Sequence, residues 1–132
     1  MRVKKIAPAV IAATAALAGV LVSGTPAQAA TVTKFCSMPF ERAGVGCFYS
    51  TGDTITVQDM WADGLRSVVV WGSSDGKSGE CHDANGANNP PTTCKYDVAE
   101  NGILVFHVES RSGAKGKASN ATAPITAWTS GR

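Results

Sequence analysis

Asp53-Thr-Ile-Thr-Val-Gln-Asp-Met-Trp-Ala-Asp-Gly-Leu-Arg-Ser-Val-Val-Val-Trp71 is the stretch that decides the fold class. Its first six residues alternate. Ile55 and Val57 fall on one face, and Thr54, Thr56 and Gln58 on the other, the pattern of a half-buried strand. From Arg66 to Trp71 both faces are apolar, Val68 and Val70 opposite Val69 and Trp71, which suits a strand central in its sheet. Asp63-Gly64 lies between them. Asp-Gly is a strong hairpin signal, so the two strands are expected to pair.

The same signals recur outward along the chain. Val45 to Ser50 reads as a strand, with a short one near Val32 to Phe35 before it and the turn Thr51-Gly-Asp53 after it. Gly72 to Thr93 shows no periodicity and carries Asp75-Gly76, Asn85-Gly86 and Asn88-Asn-Pro-Pro91, so it reads as a long loop. Cys94 to Val98 alternates, with Cys94, Tyr96 and Val98 inward. Ile103-Leu-Val-Phe-His-Val108 is the strongest strand: Leu104, Phe106 and Val108 line the core, while Ile103, Val105, His107 and Glu109 share the opposite face. Arg111 to Ala123 reads as a polar, flexible loop. Pro124 to Trp128 closes the chain as an edge strand, because proline cannot donate to a ladder. No segment after residue 30 carries a helical stripe. Six or seven short strands divided by Gly, Asn and Asp turns imply an all-β fold, an antiparallel β-sandwich or a small open barrel.

The first 29 residues read differently. Arg2, Lys4 and Lys5 precede an apolar run from Ile6 to Val22, Ser23 to Pro26 interrupts it, and Ala27-Gln-Ala29 supplies the small residues of a cleavage box. This is the pattern of a removed export signal, which leaves residues 30–132 as one small β domain, secreted and with no membrane segment. The full chain has 12 Lys+Arg and 10 Asp+Glu; without the signal's three basic residues the balance falls from +2 to −1. Phosphate binding needs a clustered basic face, so no nucleic-acid partner is expected. The one local exception, Arg111-Ser-Gly-Ala-Lys-Gly-Lys117, reads as a solvated loop.

Cys36, Cys47, Cys81 and Cys94 remain, an even number in a small exported chain, and imply two disulfides. Three connectivities are open. Sequential pairing, Cys36–Cys47 and Cys81–Cys94, is favoured because each closes a short loop, and each bridge is expected to stabilise by about 2–4 kcal/mol. The paired close spacings of a zinc site are absent.

Val57 to Trp71, Cys81-His-Asp-Ala-Asn-Gly86 and Cys94 to Phe106 resemble turn, strand and cysteine features of small exported actinobacterial β-sandwich proteins, a mostly uncharacterised group with paired cysteines. The resemblance spans roughly residues 45–110. It implies the fold and the extracellular location, and it brings no catalytic residues. Some of that group carry further cysteines near the end of the long strand. Glu109 and the loop after it have none here, so a third bridge is not expected.

Catalytic patterns are weak. His82 and His107 accompany no Gly-x-Ser-x-Gly elbow, and the cysteines are committed to bridges. Asp53, Asp59 and Asp63 occupy turn positions where Asp bonds the local backbone. Asp83 to Asn88 has the oxygen ligands of a calcium loop without the spacing, since Cys94 stands at the twelfth position in place of Glu. Neither metal nor cofactor is expected, and the chain is not read as an enzyme.

Binding features are clearer. Trp61 sits just before the Asp63-Gly64 turn, where an aromatic ring is a platform for a sugar or an anchor for a protein. The loop after His82 carries Asn88, Asn89, Pro90 and Pro91 between two cysteines, and a loop held this way loses little entropy on binding. Trp61, Asp63, His82, Asn88, Asn89, Pro90 and Pro91 are the candidate contact residues. The leading expectation is a monomeric, non-catalytic extracellular protein that recognises a cell-surface or environmental polymer or a protein. The alternatives are an inhibitor of proteases or other hydrolases acting through the 82–93 loop and, third, a small secreted hydrolase.

Overall fold

The computed structural model describes residue 24, residues 33–39 and residues 42–130, and the signal-peptide reading of residues 1–29 lies almost wholly outside them. Among the described residues there are nine strands and no helix: β1 (Lys34–Cys36), β2 (Val45–Tyr49), β3 (Thr54–Gln58), β4 (Arg66–Ser73), β5 (Ser78–Asp83), β6 (Thr92–Lys95), β7 (Ile103–Arg111), β8 (Ala118–Ala121) and β9 (Ile125–Trp128). They form two antiparallel sheets. The first is ordered β1-β2-β3-β6. The second is ordered β5-β4-β7-β8, with β9 also paired to β7. The fold is a β-sandwich with nine strands where the sequence implied six or seven.

The alternation in the sequence sets which side chains face inward. Phe48, Ile55 and Val57 from the first sheet meet Val69, Trp71, Leu104, Phe106 and Val108 from the second. At about 25 cal/mol per Å², full burial of such side chains stabilises by roughly 1.5–3 kcal/mol each. β4 lies between β5 and β7, as its two apolar faces required. Val68 is fully buried too, although it stands outside the central cluster, on the outer side of its sheet. Gly46 packs against the opposite sheet: a Cβ there would come within 2.5 Å of Val69 Cγ2 and 2.7 Å of Val108 Cγ2.

Both disulfides join sequential cysteines. Cys36 and Cys47 face each other across β1 and β2, outside the central cluster. Cys81 and Cys94 tie β5 to β6 and so link the two sheets through the core. Tyr96 lies against Trp71 with ring centroids 4.7 Å apart and the rings tilted by 60°, an aromatic contact that adds to burial.

Three local readings are corrected. The Asp63-Gly64 turn does not join a hairpin: β3 pairs with β2 and β6, β4 pairs with β5 and β7, and residues 59–65 cross from one sheet to the other. Residues 72–93 are not one loop, because Ser78–Asp83 forms β5 after an Asp75-Gly76 turn. Its inward positions are Gly79, Cys81 and Asp83, so no apolar alternation announced it. Gly79 packs tightly on Trp71: a Cβ there would come 3.0 Å from the indole, which would have to give way. Residues 118–121, read as part of a polar loop, pair with the end of β7 as β8.

Candidate functional site

The register of the second sheet gathers one end of the sandwich. Ser67 stands opposite Asp83, and Arg66 opposite Arg111, so the start of β4 lies beside the ends of β5 and β7. Three connections meet there: the 59–65 crossover, the 84–91 crossover and the turn after β7. Between them is an open cleft of about 460 Å³, lined by Asp59, Trp61, Ala62, Gly64, Leu65, Arg66, Asp83, Ala84, Gly86, Ala87 and Gly113.

Two aspartates fix its floor. Asp83 is fully buried. Its Oδ2 accepts the Asp59 N–H at 2.7 Å, and its Oδ1 accepts Thr92 Oγ1 at 3.1 Å and the Asn85 N–H at 3.4 Å. One carboxylate thus pins both crossovers, and a buried carboxylate with this many donors is well compensated. Asp59 is 4% exposed. Its Oδ1 accepts the Trp61 N–H at 3.0 Å, which sets the backbone that carries the indole. Its Oδ2 is buried and has no hydrogen-bond partner among the described residues. Burial pushes the Asp59 carboxyl above its ordinary range against the pull of the Trp61 N–H, and the nearby Asp63 and Asp83 carboxylates push it further.

Trp61 is half-buried and lines the cleft. Asp63 is exposed and accepts the Leu65 N–H at 3.0 Å, so it shapes the turn without lining the cleft. Asn88, Asn89, Pro90 and Pro91 are exposed beyond the cleft's lining, which takes Ala84, Gly86 and Ala87 from the same loop. The Asn89 side-chain amide donates inward to the Asn85, Gly86 and Ala87 carbonyls. The Asn85 amide donates to the Pro90 carbonyl at 3.4 Å. Trp61 and the first half of the loop are therefore brought together, and the proline half is not.

His82 belongs to β5 and a different surface. On the outer side of the second sheet, His82 Nε2 lies 2.8 Å from Glu80, and His107 Nε2 lies 3.0 Å from Glu109. Arg111 grips Glu80 with both terminal nitrogens at 2.8 and 3.0 Å, and its Nε bonds Glu109. The Arg111 bonds hold the Glu80 carboxyl below its ordinary range. Arg111 is thereby taken out of the basic loop, leaving Lys115 and Lys117 exposed on it. Among the described residues no group of three or more His, Cys, Asp or Glu is placed to hold a metal ion, and no helix is long and apolar enough to cross a membrane.

Sequence reasoning missed Asp59, Asp83 and Arg66 as cleft residues. It also missed Trp128, which is 62% exposed beside Val105 at 38%. That exposure was legible in principle: Ile125 and Ala127 face inward, so Thr126 and Trp128 must face out. The cleft was not legible, because three separated segments build it. Compared with protein-family models, with curated proteins and with solved structures, the chain matches none of them.

Proposed function

We propose that this is an exported, non-catalytic binding protein that holds a cell-surface or environmental polymer in the cleft at Trp61. The observation that carries the reading is the half-buried Trp61 indole in a lined cleft, its backbone fixed by the N–H bond to Asp59. A fixed aromatic ring offers a sugar face a large apolar contact at little entropic cost. Extracellular action is supported by two disulfides, which persist in oxidising compartments, and by the signal pattern of residues 1–29. The test is co-sedimentation with washed cell walls, chitin and cellulose. Wild-type retention that disappears in Trp61→Ala is the expected result; equal retention of the two proteins would refute the reading.

A second reading, inhibition of a hydrolase, draws on the 84–91 loop. It exposes Asn88, Pro90 and Pro91 while Asn89 and Asn85 brace it from within and Cys81–Cys94 tethers it. Bracing of this kind presents a rigid epitope. Replacing Pro90 and Pro91, which lie outside the cleft's lining, with Gly and Ser abolishes enzyme blocking if inhibition is the role, and leaves polymer retention intact if it is not.

A further inference from the structure

The cleft's charge pattern narrows its ligand. Asp59 contributes a carboxylate oxygen that is buried and without a partner, two residues from the indole that lines the same cleft. An unpaired buried acceptor is costly, and a cation within about 4–6 Å compensates it without direct contact. The charged groups around it are Asp63 on the turn, Asp83 in the floor and Arg66 at the start of β4. Asp83 is fully engaged by backbone and hydroxyl donors. Arg66 makes no ion pair with either aspartate among the described residues, and it is not among the groups that act on the Asp59 carboxyl, which are burial, the Trp61 N–H, Asp63 and Asp83. What is missing beside Asp59 is a cation, and what adjoins it is an aromatic face, which also attracts cations.

We infer that the cleft takes an amine-bearing sugar polymer, with a free ammonium group held in the cleft within Coulombic range of Asp59 and the sugar ring against Trp61. This rests on the reading of the cleft as a polymer site and names the polymer's chemistry. An N-acetylated sugar presents a neutral amide at the same position and gains nothing from the carboxylate. Because a bound ammonium favours ionised Asp59, binding weakens as acid protonates that carboxyl; Asp63 and Asp83 are the other charged groups that bear on it, and Arg66 lines the same cleft without pairing with it.

The test is calorimetric titration of the disulfide-bonded protein with a glucosamine oligomer and with an N-acetylglucosamine oligomer of equal length. The expected result is about tenfold tighter binding of the free amine, a preference that collapses in Asp59→Asn, which keeps an oxygen to accept the Trp61 N–H. Should Asp59→Asn not fold, the wild type alone decides, because its preference must shrink as acid protonates Asp59 while the sugar ammonium stays charged. Equal or tighter binding of the acetylated oligomer, lost in Trp61→Ala, would overturn the inference and leave the polymer reading standing. If neither oligomer binds, the inference fails, and retention on cell walls or cellulose then separately decides the broader reading. Binding of an oligolysine in place of the sugar would overturn it as well, by assigning the cleft to protein side chains.

Discussion

Removing the Cys81–Cys94 bridge should cost more than removing Cys36–Cys47, although the two close nearly equal loops. Their sequence separations are 13 and 11, so loop-closure entropy assigns each about 3 kcal/mol. Their surroundings differ. Cys81 is fully buried in the core and joins the two sheets, whereas Cys36 is exposed and Cys47, though buried, lies outside the central cluster, both on strands that already pair. Replacing Cys81 and Cys94 by Ala also removes packed sulfur from the core, which adds roughly 1–2 kcal/mol for lost contacts and residual cavity. The expected losses are therefore about 4–5 kcal/mol for Cys81→Ala/Cys94→Ala and about 3 kcal/mol or less for Cys36→Ala/Cys47→Ala. Against a typical total of about 5–15 kcal/mol the first is a large fraction. Equilibrium urea unfolding without reductant measures both. An equal or larger loss from the Cys36–Cys47 bridge would refute the argument that position, and not loop length, ranks the two.

Three further outcomes follow from single contacts. Gly46→Ala places a methyl against Val69 and Val108 where the sheets touch, and should destabilise by about 1–3 kcal/mol in the same unfolding assay. Asp83→Ala strands the Asp59 N–H and the Thr92 hydroxyl together, and should cost about 3 kcal/mol and lower the melting temperature. Glu80 is held below the ordinary glutamate value of 4.5 by Arg111 first and His82 next, so the unfolded chain takes up its proton before the folded one does. That stability is complete above pH 4.5 and is lost as pH falls through the lowered value, so Glu80→Gln should lose more stability at neutral pH than in acid. An unfolding curve for the variant that runs parallel to wild type at every pH would contradict it.

Where the inward positions are apolar the sequence was sufficient. Ile55 and Val57 placed β3, Val68 to Trp71 placed β4 at the centre of its sheet, and Leu104, Phe106 and Val108 placed β7 over the core. It was insufficient where inward positions are not apolar. Gly79 is small beside Trp71, and Asp83 is buried with donors from two other segments, Asp59 and Thr92, besides the local Asn85 N–H. Neither reason is visible locally, so β5 was read as loop. Asp63-Gly64 shows another limit. Its turn chemistry holds, with Asp63 accepting the Leu65 N–H, but the choice of partner strands rests with β2, β6, β5 and β7. The candidate site follows the same division. Trp61 stood out as an aromatic at a turn, while Asp59 and Asp83 looked like ordinary turn aspartates until the register of β4 with β5 and β7 brought the connections together.

The central claim is that the Trp61 cleft holds a polymer, and co-sedimentation tests it most directly. Wild-type protein and Trp61→Ala are each mixed with washed cell walls, chitin and cellulose, with matched melting temperatures confirming that the variant is folded. Wild type is expected to pellet with at least one polymer, and the variant to stay in solution. Wild type remaining in solution with every polymer, or the variant pelleting equally well, would contradict it.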